Sequence, residues 1–475
     1  MFRKDLPLIR FYDQDFVDIY EQSWSRIDSS MVKGTAANGF AKEFFVYEPS
    51  GVINQLEAVF STFFLVYSNG SYNSSSCLDN FYTKQEADGA IRGVYSLADG
   101  TPLLTPENPE GVLPPLFSFA ELNIYHKVGN KKRLKDIIDV LCRYYDWLEA
   151  KFQAENGLYA VSHAAGGQNC PLRREACYPV DFNCQQAVNA LYLSAIGDLL
   201  NDRDISFKYK KKYFSLKTRI NEKMWDEEDG FYYDLKKDES FLKVKSLAGY
   251  WAILAEIPGV DTVERMTAHL SDENVFATDH PFPSLAVCED QFSSDGRKDM
   301  GDVNPTLVFM IIKGLEKYKY YEVAREYAIR HLYFILEVLN DEESPHPDLY
   351  EGYSPTEAGP AASGENGFPR RNFLPYVCLS TIALMIENVV GFYISLPKKT
   401  VEWIMPSLEE TGIENMLLKR NKVTIFSNRS GRVGAWEIRL ESDKLYYFTI
   451  NILNSKKKKT LPIPSGKCSM LIDKM

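Results

Sequence analysis

The strongest constraint on this fold is a rhythm. Up to about residue 392, apolar side chains recur at spacings of three and four over 14–26, 51–67, 114–128, 131–153, 181–201, 205–224, 243–256, 260–270, 305–318, 320–340 and 372–392. That period predicts amphipathic helices. Their connections alternate. VGNKK, NDRDIS and EKYKY are short, while 72–113, 155–180, 225–242, 271–304 and 341–371 are long and carry Gly, Pro, Asp and aromatic residues. Bundled helices need only a few connecting residues. The pattern therefore predicts helical hairpins in a ring, with the long loops opening at one end, where function tends to sit.

Beyond about residue 395 the period changes to two. NKVTIFSNRSG, AWEIRLE, KLYYFTINIL and CSMLID alternate, with β-branched and aromatic residues enriched. The expected organisation is a helical domain over 1–395 and a small antiparallel β-module over 396–475. The module is expected to be a structural appendage, and SGRVGAW around Trp436 is the stretch that would offer a sugar-contact surface instead. The basic run at 456–459 reads as a solvated turn.

Composition narrows the partners. With 54 Lys and Arg against 65 Asp and Glu, the net charge is −11. Nucleic acid and anionic membranes need a basic face, so neither is expected as a partner. No apolar stretch approaches the eighteen or so residues of a membrane span. The N-terminal MFRKDLPLIRFYDQDF lacks an apolar signal core, so the chain as given is expected in the cytoplasm, or in the periplasm or medium if a leader was removed. Cys170, Cys177 and Cys184 are seven apart and match no C-x2-C zinc pattern. No metal or cofactor is expected, and an oxidising compartment would allow one disulfide among these three. Oligomeric state is not written in any of these patterns.

Several stretches carry chemistry. CLDNFYTKQEADGAIRGVY sets Phe81, Tyr82, Gln85, Asp88 and Arg92 close together. Gln and Asp bridge paired hydroxyls, Arg donates as a fork and aromatic rings stack on sugar faces, yet the same residues also suit a surface turn. Gly166, Gly167 and Asn169 form a loop leading into a helix at Asp181, a natural first-turn carboxylate. MWDEEDGFYYD reads as a tight hairpin, without the alternating ligand spacing of a calcium loop. Asn304 and Pro305 open a helix. DLYEGYSPTEAGP places a lone glutamate, Glu351, beside Tyr353 in a loop of Gly and Pro, and Arg371 follows in PRRNF.

In this order the pieces resemble the (α/α)6-barrel glycosidases related to glycoside hydrolase family 63 and the trehalases. The mannosylglycerate-hydrolase-like branch is the nearest, and the resemblance covers roughly 35–392. QEADGAIR is similar to its Q-x-x-D-G-x-I-x-R segment, and MWDEEDGFYYD to its W-D-x-x-x-G-F-Y-Y-D hairpin. GLEKYKYYEVAREYAIRHL resembles its G-L-x-x-Y-G-Y hairpin, and YEGYSP its E-N-Y-N-P loop. The resemblance implies an all-α (α/α)6 toroid with a small C-terminal β-module. It also implies an inverting glycoside hydrolase for a short oligosaccharide or small glycoside, glucosidase- or trehalase-like, with Glu351 as general base. It further implies Phe81, Tyr82, Gln85, Asp88, Arg92, Asn169, Asn304, Tyr353 and Arg371 as substrate-binding positions.

Inversion needs two carboxyl groups about 6.5–9.5 Å apart, one protonated and one ionised. The family's acid stands in an S-G-x-D-x-S-P loop, which here reads AGGQNCP, with Gln168 at the acid's position. A carboxamide cannot donate a catalytic proton. Residues 156–174 contain no carboxylate, so Glu175, Asp181 and Asp302 are the substitute candidates. The family's Y-W-R-G-x-V-W segment reads KDMGDVN and its F-S-W-S segment reads NFLPYVCLS, without their tryptophans. The alternative is a non-catalytic carbohydrate- or partner-binding relative, for which Gln168 would be a good hydroxyl ligand. A third reading is an epimerase, lyase or phosphorylase, with His163 as the histidine of interest.

Overall fold

The computed structural model describes residues 5–341, 347–362, 369–405, 409–418, 420–429, 435–452, 457–463 and 465–473. Its helices follow the sequence period. They are α1 (Gln14–Ile27), α2 (Gln55–Leu65), α3 (Ser76–Tyr82), α4 (Phe117–Val128), α5 (Lys131–Phe152), α6 (Val180–Leu200), α7 (Arg203–Lys223), α8 (Trp251–Leu254, entered by a 3-10 turn at Leu247–Tyr250), α9 (Val260–Leu270), α10 (Pro305–Lys317), α11 (Tyr321–Asn340) and α12 (Leu374–Cys378), which continues as a π-helix over Leu379–Val389. Only α3 falls in a stretch expected to be loop, because seven residues are too few to show a period. The expected helix at 51–67 is shorter, since Val52–Asn54 pairs as a strand with Val94–Ser96 and the Asn54 side chain caps α2.

The packing runs in a closed order. α2 lies on α4, α4 on α6, α6 on α8 and α8 on α10, and α10 lies on the π segment, which returns to α2. The other helices pack outside these: α3 on α2, α5 on α4 and α6, α7 on α6, α11 on α10, and α1 on the π segment. Burial follows this arrangement. α2 and α6 are buried on nearly every side, while α5 buries a stripe that includes Leu134, Ile138, Leu141, Tyr145 and Leu148. Each large apolar side chain so buried contributes about 1.5–3 kcal/mol. α6 and α7 approach closely because residue 197 is glycine. A Cβ there would lie 2.6 Å from the Ser206 backbone nitrogen, so Gly197→Leu would force the hairpin apart.

The C-terminal strands form two sheets. One has the order Leu8–Phe11, Thr411–Leu418, Asn421–Arg429, Ala435–Ser442, Gly466–Asp473 and is antiparallel throughout. The other has the order Phe392–Ser395, Thr400–Ile404, Tyr446–Ile452, Lys457–Ile463. Here the expectation of a purely antiparallel module is corrected, because Thr400–Ile404 and Tyr446–Ile452 run parallel. Alternation reveals strands but not their direction, which a long crossover sets. The strand at Leu8–Phe11 is too short to have been read, and Phe392–Ser395 pairs across residue 396. Lys457, Lys458 and Lys459 lie in a strand rather than a turn, while Lys456 and 430–434 of SGRVGAW fall outside the described residues. The module is anchored to the helices. Trp403 Nε1 donates to the Val390 carbonyl at 2.7 Å, and the Asn69 side chain bonds the backbone of Asn415 and Leu417.

Among the described residues no helix is long and apolar enough to cross a membrane. Cys170, Cys177 and Cys184 are free thiols, so the disulfide that an oxidising compartment would allow among them is not formed here.

Candidate active site

Glu351 is fixed by its loop. Val303 and Tyr353 exchange backbone hydrogen bonds of 2.8 and 3.0 Å, so the segment before α10 pairs with the segment carrying Glu351. Tyr353 is fully buried, and its hydroxyl accepts from the Tyr350 N–H at 3.1 Å. Behind it, His280 and His331 bond ring to ring at 2.6 Å, and the His280 backbone N–H donates to the Pro355 carbonyl. Burial lowers the pKa of both imidazoles. Tyr353 thus supports the loop from beneath rather than presenting a phenol to solvent.

The Glu351 carboxylate is 4% exposed and receives a fork from Arg370, Nε to Oε2 at 2.7 Å and Nη2 to Oε1 at 2.8 Å. Lys298 Nζ lies 3.3 Å from Oε1. Arg370 also reaches Glu57 Oε1 at 3.3 Å and stacks on Phe373, 3.9 Å from the ring centre. Glu57 lies in the first turn of α2, and its other oxygen has no hydrogen-bond partner. Burial pushes the Glu57 carboxyl up to about 7 against the pull of Arg370, and Glu351 adds to the rise. The buried Tyr376 phenol of α12 feels Glu57, Glu351 and Asp299 together.

KDMGDVN supplies the other acids. Asp302 is buried, and its Oδ1 accepts from the Ser284 hydroxyl and the Asp299 N–H, both at 2.6 Å. Its Oδ2 lies against the Glu351 loop, 3.3 Å from where a Cβ on Gly352 would stand. Burial, reinforced by the Asp299 charge, pushes the Asp302 carboxyl up to about 7. Asp299 is raised as well, by burial first. Lys298 and the Asn169 backbone N–H oppose this, and Glu351 adds to it. Burial thus favours the protonated form of both carboxyls, and the Asp299 charge adds to this at Asp302. Asp299 holds φ +58, a left-handed conformation that aspartate tolerates better than most residues. It stands where the resembled segment has its first tryptophan.

Gln168 belongs to this group too. Its Nε2 donates to the Ser284 carbonyl at 2.7 Å, while its buried Oε1 has no partner. The residue at the family acid's position is therefore tied to the serine that holds Asp302. Asn169 is exposed above Asp299, and Asn304 caps α10 by accepting from the Thr306 N–H at 2.9 Å.

The remaining expected residues sit elsewhere. Asp181 is sealed beneath Gly166 and shares the buried Arg173 with Asp234, its Oδ2 2.8 Å from Nη1. That fits the first-turn structural reading. The Glu175 side chain is 72% exposed and pairs with Lys236. Phe81 is buried against Tyr95 and Phe117, and the Tyr82 hydroxyl donates to Glu121. Gln85 donates to the Val140 carbonyl, Asp88 accepts from the Ala90 N–H, and Arg92 pairs with Glu86 and Glu110. Phe81 and Tyr82 thus tie α3 to α4, Gln85 ties the following loop to α5, and Asp88 and Arg92 bond within the loops. Arg371 is exposed, with its carbonyl accepting from the Tyr47 hydroxyl. His163 is half-buried by the Gly166 loop, and burial lowers its pKa.

Glu57, Arg370, Lys298 and Asp299 escaped the sequence reading. Glu57 left one signal, being the only charged residue in QLEAVFSTFFL.

A helical ring with buried carboxyls gathered under its long loops defines a relative of the helical glycosidases. The chain belongs to the mannosylglycerate hydrolase MGH1-like glycoside hydrolase family, whose model matches residues 77–366, and a trehalase C-terminal domain model matches 391–475. An uncharacterized protein of Borreliella burgdorferi is 47% identical over 479 residues, with 100% of both chains covered. Cytosolic neutral trehalase of Kluyveromyces lactis is 27% identical over 137 residues, which are 26% of this chain and 17% of the trehalase. The fold is shared with the GH63 mannosylglycerate hydrolase of Thermus thermophilus, solved in complex with glucose: TM-score 0.59 at 15% identity, covering 77% of this chain and 99% of that one.

Proposed function

We propose that the chain is an inverting glycoside hydrolase, built as a six-hairpin (α/α)6 toroid, that cleaves a short oligosaccharide or small glycoside. Glu351 is the base that activates water. Asp299 is the acid that protonates the departing oxygen, and Asp302 behind it keeps a proton within the pair. Gln168 occupies the family acid's place as a hydrogen-bonding support. In this reading residues 1–395 carry the chemistry and 396–475 brace it.

The observation that carries the reading is the buried pair Asp299 and Asp302, joined by the Asp299 N–H to Asp302 Oδ1 bond, both raised by burial, with Asp299 adding to the rise of Asp302 and Glu351 to that of Asp299. It supplies what Gln168 cannot: a carboxyl whose proton burial favours keeping, beside the loop that carries Glu351. Arg370 and Lys298 bring two cations to the Glu351 carboxylate and fix its position. The Glu57 carboxyl shares Arg370 through Oε1 and leaves Oε2 for a sugar hydroxyl.

The test is a screen of disaccharides and aryl glycosides with the wild type and Glu351→Gln, followed by proton NMR of the first product formed. The expected results are a loss of about 10²–10⁴-fold in kcat for the variant and a product of inverted anomeric configuration. Unchanged activity in Glu351→Gln, or a product of retained configuration, would overturn the assignment.

A further inference from the structure

The far end of the same helices holds a cavity of about 530 Å³, within the usual range of small-molecule sites. Its wall comes from the last turns of α2 and α10, from α4 along Phe119 to Lys127, from the second half of α6, from Glu387 of the π segment and from Tyr393 of the first module strand. Glu57 and Phe63 face opposite ends of α2, six positions apart, and Asn304 and Lys317 bracket α10. At 1.5 Å per residue the two sites stand roughly 9–20 Å apart.

The charges here are closed on one another. Lys127 and Lys313 hold Glu387 at 2.9 and 2.7 Å, Lys313 also holds Glu316 at 2.9 Å, and Lys317 holds Glu256 at 3.1 Å. Three lysines thus face three glutamates. An anionic ligand would have to displace a carboxylate, and a cationic one a lysine, so the cavity favours a neutral occupant. Two further features describe it. Phe63, Phe119 and Tyr192 meet in sequence along the wall, ring centres 4.8 and 5.1 Å apart, and offer apolar surface. Asn123 Nδ2 is buried in the same wall without a hydrogen-bond partner, and the Tyr192 hydroxyl accepts from Lys317 at 2.9 Å, leaving its own proton to donate. A buried amide left without an acceptor is costly, so a ligand that accepts from it is favoured.

We propose that this cavity is a second, non-catalytic site for a neutral saccharide, with a sugar face against Phe119 and Tyr192 and hydroxyls meeting Asn123 and Tyr192. Aromatic face plus hydrogen-bonding tip is the chemistry that recognises a ring bearing hydroxyls. The site lies between the ring and the module, so its occupant would touch both.

Calorimetric titrations of the full chain with D-glucose, trehalose, glycerol and sodium sulfate test the proposal, together with a crystal soaked in D-glucose. Expected are saturable binding of a sugar that survives Glu351→Gln and sugar density against Asn123 and Tyr192. Asn123→Leu, which keeps the branched shape without the amide, weakens that binding at least tenfold, and Ala195→Phe, which fills the cavity, abolishes it. Four results would overturn the proposal: no saturable sugar binding; binding lost in Glu351→Gln but untouched by Asn123→Leu and Ala195→Phe; sulfate bound in preference; or glycerol bound as tightly as either sugar.

Discussion

The two ends of the ring bury carboxylates in opposite states. At the far end, burial raises the Glu387 carboxyl, but Lys127 and Lys313 overcome it and bring it to about 2, and the Tyr67 hydroxyl donates to it as well. At the near end, Glu57 and Asp302 stand at about 7. Burial is severe in both places, so burial does not decide the outcome. The number of cations per carboxylate does. Glu387 meets two lysines, one of them shared with Glu316, while Glu57 shares one arginine with Glu351 and Asp302 faces another carboxyl. The far end is built to keep charge fixed and the near end to keep a proton available.

The largest effect should come from removing that proton. Asp299→Asn is expected to lower kcat/KM by about 10²–10⁴-fold on a disaccharide, the range for losing a general acid. On an aryl glycoside with a good leaving group the loss should shrink, because a phenolate of low pKa departs without protonation. An equal loss on both substrates would assign Asp299 to sugar binding instead, and the contrast between the two ends would lose its catalytic meaning.

Next in size is the far end. Lys313→Met leaves Glu387 with Lys127 alone and takes a cation from Glu316. Breaking a buried pair from one side costs about 3–5 kcal/mol. Urea denaturation should show that loss, and adding Glu387→Leu should recover part of it. A cost below about 1 kcal/mol would mean that water already screens the network.

What the sequence disclosed follows from range. Glu351 was legible because its signal is local: a lone acid among Gly, Pro and Tyr, matched by a short motif. Asp181 was legible as a first-turn carboxylate for the same reason. Asp299 was not, because its standing depends on Asn169, Lys298 and Glu351, which arrive from three loops. Glu57 was hidden by a helix that otherwise reads as core, and the parallel strand pair by a crossover of more than forty residues between Ile404 and Tyr446. QEADGAIR carried a motif whose side chains hold loops together, so motif and contact point to different roles there.

The smallest effect separates the two ends by pH. Asp302 has a folded pKa of about 7, above the unfolded value of about 3.9. Between those values the native state binds more protons than the unfolded chain, so stability from this group falls as pH rises from about 4 to about 7. Glu387 has the reverse sign. Its folded pKa of about 2 lies below the unfolded value of about 4.3, so its contribution is complete above that pH and is lost as pH falls toward 2. Asp302→Asn should remove only the first slope. Relative to wild type, the variant should gain stability from pH 5 to pH 8, at no more than about 1.4 kcal/mol per unit, while the acid limb stays unchanged. Melting curves at pH 3, 5 and 8 give both limbs. A variant that tracks the wild type at pH 5 and pH 8 alike would mean that Asp302 is ionised throughout, leaving the near end as firmly charged as the far one.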